Sequence, residues 1–301
     1  MATIIVTTAG DVVDGSDGVL SLREAIAQAN ANADADTIVF DASLSGQTIT
    51  LTGGALILTQ DVTIDGDVNG DDKADITISG NNASRVFLMT GASTDVDLLS
   101  LTLTNGSWIG FGGAIYAQDI STLDIEDTTI RNSVSGSGGG LAASATDVTL
   151  TNSLVTGNST NGFGGGIYVR SLSTLVVTNS TIAGNTTNYY GGGLTAANST
   201  VTLLNSTVTG NQADANGTGT TNGGGIENYR STITVINSVV AENTSGTSMT
   251  ANDVRGTIDT ATNSVFGTAV TITANTNSLT GVADVGLGAL ADNGGTVLTR
   301  N

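Results

Sequence analysis

The chain has 301 residues, of which 39% are apolar, so it is long enough and apolar enough to bury a core. Its 27 Asp and Glu against 8 Lys and Arg give a net charge of −19, which would repel nucleic acid and anionic membrane surfaces. The absence of Cys and His excludes disulfides, thiolate and Ser-His-Asp catalysis and zinc centres of the usual kind, and the abundance of Thr, Ser, Asn and Gly predicts an all-β protein.

The N-terminal segment is predicted to contain an edge strand and the single helix of the chain. The strand is "ATIIVTT", and the helix is "SLREAIAQANA", at about residues 21–31. Ser21 is its predicted N-cap and Glu24 completes a capping box. Its apolar stripe consists of Leu22, Ala25, Ile26 and Ala29. The N-terminus lacks the basic region of a signal peptide, and no apolar stretch is long enough to span a bilayer.

An acidic loop, "DGDVNGDDKAD", follows at residues 65–75. Its carboxylates and amide alternate in the manner of a calcium-binding loop, with Gly70 at the sharp turn. The loop departs from an EF-hand in having Lys73 and Ile76 at ligand positions, and it lies between strands instead of helices. We therefore predict a calcium site, with a solvated acidic turn as the alternative, and the candidate ligands are Asp65, Asp67, Asn69, Asp71 and Asp75.

From residue 112 onward the chain repeats itself. "GGAI", "GGGL", "GGGI", "GGGL" and "GGGI" end at Ile115, Leu141, Ile167, Leu194 and Ile226, in steps of 26, 26, 27 and 32 residues. The long last step is explained by the longer loop "QADANGTGTTN" at residues 212–222. A second phrase, as in "VTLTNSLVTGN", keeps the same period. A fixed period of this length predicts a solenoid, a propeller or an array of repeats.

Within one period the apolar and polar residues alternate, which is the pattern of short strands. About 26 residues suit one turn of a parallel β-helix with three short strands and three corners, stacked at about 4.8 Å. The inward aliphatic columns are predicted to comprise Val148, Leu150, Val155, Leu175, Val177, Ile182, Val201, Leu203, Val208, Ile233, Val235 and Val240. The leading asparagines of the second phrase are predicted to form a hydrogen-bonded ladder at a corner, and they are Asn152, Asn179, Asn205 and Asn237.

These motifs resemble a known group of proteins. "GVLSLREAIAQANA", followed by "DTIVFD" and "ITLTGG", is similar to the N-terminal CSLREA-type domain of bacterial secreted β-helix proteins, with Leu20 in place of the usual Cys. The glycine phrases resemble the repeats of polymorphic outer-membrane and other surface β-helix proteins. So do the [VI]xxN phrases, which are Val155 to Asn158, Ile182 to Asn185, Val208 to Asn211 and Val240 to Asn243. The resemblance implies a right-handed, single-stranded parallel β-helix and an extracellular or cell-surface location.

The C-terminal "LADNGGTVLTRN" resembles the "ADNGG" ending of many such proteins, with Thr296 where a Pro is usual. Because no further module follows this segment, we expect either that the chain is a fragment of a longer protein or that it binds a partner at the open C-terminal end of the β-helix. We predict one domain over residues 1–301, with an N-terminal cap over 1–45, β-helix turns over 46–256 and irregular turns or a cap over 257–301.

Carbohydrate-active β-helix enzymes resemble this architecture and place two or three carboxylates, or carboxylates with calcium and a basic residue, on one face over adjacent turns. Glu227 and Arg230 are the best candidates, but the preceding turn offers only Thr195 and Ala197 beside them. Arg170 lies two turns away, about 10 Å by the strand spacing. Since no carboxylate pair emerges, we predict that the chain is not an enzyme and has no catalytic residues.

The aromatic residues near the glycine phrases have two interpretations. They either form an exposed row for sugar rings or another protein, or they cover the bare backbone of the glycine corners. The row is predicted to comprise Phe111, Tyr116, Phe163, Tyr168, Tyr189, Tyr190 and Tyr229.

We therefore expect an extracellular structural protein, an adhesin or a surface or matrix component, that self-assembles head-to-tail or laterally and is stabilised by calcium. It would reach the cell surface without a recognisable signal peptide, with itself or a cell-surface polysaccharide as partner and with no nucleic acid and no membrane insertion. The alternative is a carbohydrate-active β-helix enzyme, a polysaccharide lyase or hydrolase, or a polysaccharide-binding module.

Overall fold

A computed structural model gives the fold, and it describes residues 2–218, 222–293 and 295–299. Residues 219–221 of the predicted long loop, Gly294 of the "ADNGG" phrase, and residues 300–301 lie outside the described residues. The chain is an all-β, right-handed parallel β-helix of about 8 turns with about 27 residues per turn, which confirms the predicted fold class.

Each complete turn contributes strands to four sheets, numbered here 1 to 4 in the order in which the chain visits them. Within the described residues, sheet 1 consists of Thr3–Val6, Asp36–Phe40, Val62–Asp65, Asp95–Leu99, Thr122–Glu126, Asp147–Thr151, Thr174–Thr178, Thr200–Leu204, Thr232–Ile236, Thr257–Thr262 and Thr271–Thr276. Sheet 2 consists of Thr48–Thr50, Ile76–Ser79, Leu101–Thr104, Thr129–Arg131, Leu154–Thr156, Thr181–Ala183, Thr207–Thr209, Val239–Ala241 and Val265–Phe266.

Sheet 3 has the shortest strands, and sheet 4 is the last sheet of each turn before the chain returns to sheet 1. The strands that the structure describes in sheet 3 are Ser107–Phe111, Val134–Ser137, Ser159–Thr160, Thr186–Thr187, Gln212–Ala213, Thr244–Ser245 and Thr250–Ala251, of which only the last pairs antiparallel. Those in sheet 4 are Leu56–Leu58, Phe87–Thr90, Ile115–Gln118, Leu141–Ser144, Ile167–Arg170, Leu194–Ala197, Ile226–Tyr229 and Val254–Arg255.

The fourth sheet corrects the prediction of three strands per turn. Sheet 3 arises where the sequence pattern indicates only a corner, for example at Ser159–Thr160, which pairs with Thr186–Thr187 on the next turn. Its backbone N–H and C=O groups find partners in the neighbouring turn, as a buried backbone requires.

The core confirms the predicted inward columns. The twelve predicted aliphatic residues from Val148 to Val240 are all at most 2% exposed, and they stack in register along the axis. In the strand Thr174–Thr178, for example, Leu175 and Val177 point inward while the threonines at its ends face outward.

The asparagine ladder forms, but from a different set of residues than predicted. Asn158, Asn185, Asn211 and Asn243, the last residues of the [VI]xxN phrases, are fully buried. Each side-chain N–H of one donates to the side-chain oxygen of the next at 2.9–3.0 Å, and Asn243 donates to Asp253 at 2.8 Å. The predicted ladder residues, such as Asn179, instead occupy left-handed backbone at an outer corner, a conformation that Asn tolerates well.

The N-terminal helix, α1, spans Leu22–Ala29, with Ser21 as N-cap and Glu24 completing the capping box, as predicted. Its predicted apolar stripe is buried, and it packs on the first strands of sheet 1 and on Leu56–Leu58 of sheet 4. One turn of 3₁₀ helix covers Ala42–Leu44. Sheet 1 continues through Thr257–Thr262 and Thr271–Thr276, inside the segment that the sequence predicts to be irregular.

Candidate functional site

The outward side chains of sheet 4 differ strongly from one turn to the next. Strand pairing places Tyr168, Thr195, Glu227 and Arg255 in one outward column on consecutive turns. A parallel column beside it contains Arg170, Ala197 and Tyr229. Large and charged side chains on one turn are therefore followed by small ones on the next.

The turn with small side chains forms the floor of a groove of about 450 Å³. Thr195 and Ala197 lie at its base, between Tyr168 and Arg170 on one side and Glu227 and Tyr229 on the other. The sequence interpretation counted these two small residues against a site. The structure shows that Thr195 and Ala197 create the open space, because the larger side chains on both neighbouring turns extend further outward.

Glu227 is the carboxylate of this groove, and it is only 3% exposed. The Arg255 Nη1 group donates to Glu227 Oε1 at 2.6 Å, while Glu227 Oε2 is buried without a hydrogen-bond partner. Burial raises the pKa of the Glu227 carboxyl to about 7, although the Arg255 guanidinium acts in the opposite direction. The groove thus holds a carboxyl whose pKa lies near neutral pH and whose second oxygen is buried without a hydrogen-bond partner.

Arg255 is a charged residue of the groove that the sequence pattern does not predict. Arg255 lies outside the repeated phrases, and only the strand register shows that it lies beside Glu227. The predicted partner of Glu227, Arg230, instead lies over the ring of Tyr229 at 5.1 Å and does not line the groove.

Tyr168 and Arg170 form the opposite side of the groove. The Arg170 guanidinium lies 4.3 Å from the ring centroid of Phe111, and its Nε donates to Ser144 Oγ at 3.3 Å. Burial raises the pKa of the Tyr168 hydroxyl, with the nearby Arg170 lowering it to a smaller extent. Tyr168 is therefore a protonated hydroxyl at neutral pH and can donate a hydrogen bond or a proton.

Six of the seven predicted aromatic residues form one continuous row beside the groove. Phe163 is its centre, with ring centroids 5.8 Å from Tyr168 and 5.9 Å from Tyr190. Phe111 connects Tyr168 to Tyr116, at 6.2 and 5.7 Å. Tyr189 completes the row by contacts with Phe163 and Tyr190, whereas Tyr229 stands apart on the other side of the groove. The rings cover the glycine corner, and Phe163, Tyr168 and Tyr190 also line the groove. Binding of sugar rings or of another protein by the row stays a prediction.

The glycine phrases explain why the row lies so close to the backbone. Gly164 has φ +63, which L-residues rarely adopt, and a Cβ on Gly165 would lie 2.3 Å from the carbonyl oxygen of Gly192. The turns can stack at this corner only because both positions lack a side chain.

The predicted calcium ligands do not gather at one point. Asp67 accepts hydrogen bonds from the backbone N–H groups of its own loop, including those of Gly70 and Asp72, and Asp75 accepts from Ser45 Oγ and from the N–H of Val68. Asp65 and Asp67 line a depression together with Asp72, Glu126 and Asp127, whereas Asn69, Asp71 and Asp75 do not. No group of three or more acidic side chains in the described part of the chain is close enough to hold a metal ion, so calcium binding stays a prediction.

The electrostatics of this depression would nevertheless favour a cation. Burial, together with the charges of Asp67 and Asp72, raises the pKa of the Asp65 carboxyl. Burial and the neighbouring carboxylates also raise the pKa of Glu126.

In the described residues, no helix is long and apolar enough to cross a membrane.

Comparison with known proteins agrees with the fold. Residues 87–299 match the family described as the right handed beta helix region, and the chain belongs to this family. The match begins after the segment that resembles a CSLREA-type domain. Comparison with curated proteins gives no match.

Two solved structures share the architecture. Pectate lyase Pel9A superposes with a TM-score of 0.56 and 14% sequence identity, covering 93% of this chain and 77% of the lyase. Jun a 1, the major allergen from cedar pollen, superposes with a TM-score of 0.50 and 16% identity, covering 91% of this chain and 80% of the allergen.

The prediction that the chain is not an enzyme is wrong on this comparison, because an enzyme, a pectate lyase, is among the structures that share its architecture. That prediction assumed that a site requires carboxylates on adjacent turns. At these identities the likeness itself shows the fold, so the argument for a particular activity depends on the groove.

Proposed function

We propose that the chain is a polysaccharide lyase that acts on an acidic, uronate-containing polysaccharide in the groove of sheet 4. The observation that carries the proposal is Glu227, a buried carboxyl with a pKa of about 7 and one unpartnered oxygen, lying between Arg170 and Arg255 in an open groove. The architecture shared with a pectate lyase supports it.

The lining of the groove favours a sugar polymer as ligand. Phe163, Tyr168 and Tyr190 present apolar ring surface, and aromatic side chains stack well on the flat faces of sugar rings. A polymer also suits a groove on the side of a solenoid, because the surface extends beyond the reacting unit in both directions along the axis.

The charge of the groove favours an acidic sugar. Two guanidinium groups, Arg170 and Arg255, line it against one carboxyl, although the whole chain carries a net charge of −19. Many of the carboxylates are remote, since 13 of the 27 Asp and Glu lie in the first 75 residues. Arginine pairs with carboxylates through two parallel hydrogen bonds, so a uronate carboxylate is the group that this groove is best suited to bind.

The number of carboxyl groups favours elimination over hydrolysis. Hydrolysis of a glycosidic bond generally uses two carboxyl groups on opposite sides of the bond, roughly 5–9.5 Å apart. Among the described residues that line the groove, Glu227 is the only carboxylic acid. A β-elimination needs one base, a group that neutralises the uronate carboxylate and a proton donor for the leaving oxygen.

The residues of the groove can fill these three roles. Ionised Glu227 takes the proton from C5, and the C5–H electrons form the C4=C5 double bond as the C4–O bond breaks. Arg170 or Arg255 pairs with the substrate carboxylate and stabilises the negative charge that develops beside C5. The protonated hydroxyl of Tyr168 lies two turns from Glu227, about 10 Å along the backbone, and donates a proton to the leaving oxygen across a sugar placed above Thr195.

The proposal is tested by incubating the purified chain with polygalacturonate, with alginate and with a neutral galactan. We expect ultraviolet absorbance from the C4=C5 bond conjugated to the carboxylate with an acidic polymer only. The rate should rise with pH through about 7 as Glu227 ionises. Glu227→Gln should lower the rate by about 100-fold or more, because general base catalysis is commonly worth that much. Asp124→Asn, on the exposed face of sheet 1, is the matched control.

Other outcomes would replace the proposal with a different one. New reducing ends without the double bond would indicate hydrolysis, and saturable binding without any cleavage would indicate a binding module. An adhesive or matrix role is the weaker candidate, because adhesion does not need a buried carboxyl that titrates near neutral pH. An extracellular location follows from a polymer substrate, and it is tested by fractionating the native source.

A further inference from the structure

A second cationic and aromatic cluster lies four to five turns from Glu227. Its centre is Arg85, which is 6% exposed. The Arg85 guanidinium lies 4.5 Å from the ring centroid of Trp108 and 5.3 Å from that of Tyr116. Its Nη2 group donates to the carbonyl oxygen of Phe111 at 2.9 Å, and its Nε has no acceptor.

Arg85 has no carboxylate partner among the described residues, whose ion pairs are Arg23 with Asp11 and Arg255 with Glu227. A buried cation without a counter-ion is costly, and burial accordingly lowers the pKa of the Arg85 guanidinium. Aromatic faces offset part of this cost but do not use the N–H donors. An incoming anion would use these donors and neutralise the charge.

Trp108 provides an apolar surface next to this charge. It lies on the outermost strand of sheet 3, Ser107–Phe111, and is 44% exposed. A cation beside an exposed indole ring matches the chemistry of a uronate, which has a carboxylate on an otherwise stackable sugar ring.

The aromatic row connects this cluster to the groove. Arg85 contacts Tyr116, Tyr116 contacts Phe111, and Phe111 contacts Tyr168 at the edge of the groove. Along sheet 4, Tyr116 and Glu227 are separated by four strand spacings, about 19 Å. The row therefore runs parallel to the solenoid axis.

We propose that Arg85 and Trp108 form a distal subsite for a uronate residue of an acidic polysaccharide, which binds parallel to the solenoid axis with its reacting unit at Glu227. The uronate carboxylate pairs with Arg85 and its ring stacks on Trp108. The link to the reacting unit rests on the proposed function, whereas the subsite itself is a binding site that can be tested without any activity.

The sequence offers a direct probe, because Trp108 is the only tryptophan of the chain. Titration with oligogalacturonate should give a saturable change in Trp108 fluorescence that weakens as salt is added, whereas a neutral galacto-oligosaccharide of the same length should give none. No change with oligogalacturonate, while calorimetry detects its binding, would overturn the proposal. An equal change with the neutral oligosaccharide would also overturn the role of Arg85.

Variants test the two parts of the subsite separately. Arg85→Gln should weaken oligogalacturonate binding about 10-fold, which corresponds to about 1.4 kcal/mol. Because Arg85 is buried and its substitution can disturb folding, Trp108→Ala at the exposed strand edge provides a second variant, measured by calorimetry. Val13→Ala, at another exposed apolar residue, is the control. If Trp108→Ala binds long oligogalacturonate as tightly as the Val13→Ala control does, the subsite is excluded.

Chain length separates the failure of this proposal from the failure of the lyase proposal. If the chain is a lyase, Trp108→Ala should lower the ratio of kcat/KM for long against short oligosaccharides about 10-fold, because short ones cannot span 19 Å. An unchanged ratio in an active enzyme would exclude the subsite and leave the lyase in place. Trp108-dependent binding without cleavage would exclude the lyase and leave the subsite.

Discussion

The outer faces of sheet 1 and sheet 4 belong to the same turns, share one core and differ in how their side chains vary along the stack. On sheet 1 the outward column is nearly uniform and β-branched, with Thr149, Val176, Thr202, Thr234 and Thr260 in register. On sheet 4 the column changes from Tyr168 to Thr195, Glu227 and Arg255 over four turns. Most inward residues of both sheets are apolar and buried, with Asn228 of sheet 4 as a polar exception.

This difference indicates where the repeat serves stability and where it serves binding. Packing restricts the inward residues of every turn, and β propensity alone is enough to explain a uniform outward column of Thr and Val. A column in which size and charge change at each turn is not explained by β propensity or by the repeat. Such a column does create a groove with a defined shape and charge.

The largest expected effect concerns the core that both faces share. Asn185→Ala should lower the free energy of unfolding by about 3 kcal/mol, because it leaves the Asn158 N–H buried without its acceptor and removes the side-chain donor to the Val155 C=O. Asn161→Ala, an exposed asparagine near the same corner, should change it far less. Chemical denaturation measures both. Equal effects of the two substitutions would show that the buried ladder does not stabilise the core.

The next largest effect should be on the pH dependence of stability, and it should be specific to Glu227 on sheet 4. Below about pH 4.5, Glu227 is protonated in both the folded and the unfolded chain. Between that pH and about 7 the unfolded chain loses the proton first, so the stability of the folded state falls as pH rises through this window. Glu227→Gln should remove this loss, which is at most about 3 kcal/mol for a pKa raised from 4.5 to about 7.

Denaturation midpoints at about pH 4 and pH 8 measure this effect. Asp124→Asn on sheet 1 should retain the pH dependence of the unsubstituted chain. If Glu227→Gln retains it as well, Glu227 is ionised in the folded chain well below pH 7, and its role as a neutral-pH base is excluded.

Filling the groove should affect binding more than stability. Ala197→Tyr places a large ring above the floor, between the neighbouring turns, and should weaken oligogalacturonate binding about 10-fold, or about 1.4 kcal/mol. Thr202→Tyr, at an outward position of sheet 1, is the matched control. Calorimetry should detect the loss only in the groove variant. Equal binding by both variants would place the ligand elsewhere.

The smallest expected effect concerns calcium at the acidic depression. If calcium binds there, millimolar calcium should raise the stability of the chain by about 1 kcal/mol through mass action. Asp65→Asn should abolish this increase. Without an ion, Asp65→Asn should stabilise the chain equally with and without calcium, since it removes a carboxylate that is repelled by Asp67 and Asp72. Thermal unfolding with calcium or with a chelator distinguishes the two outcomes.

Much of the fold was predictable because its signals are local and repeated. The capping box of Ser21 and Glu24, the inward column with Leu175 and Val177, and the positions of the aromatic row follow from residue type and spacing. The repeated phrase predicts the ladder at the column of Asn179, whereas the structure has it at the column of Asn185. The period shows which residues share a column, but it does not show which columns turn inward at a corner.

The sequence by itself determined the solenoid, its period, its core and its capping helix, because a repeated pattern must bury the same face in every turn. Only the tertiary structure decided the site. The register of the strand Val254–Arg255 places Arg255 beside Glu227. Thr195 and Ala197 form the groove floor because the side chains on the neighbouring turns are larger. Both depend on contacts between residues about a full turn apart, which alternation and spacing within one turn do not specify.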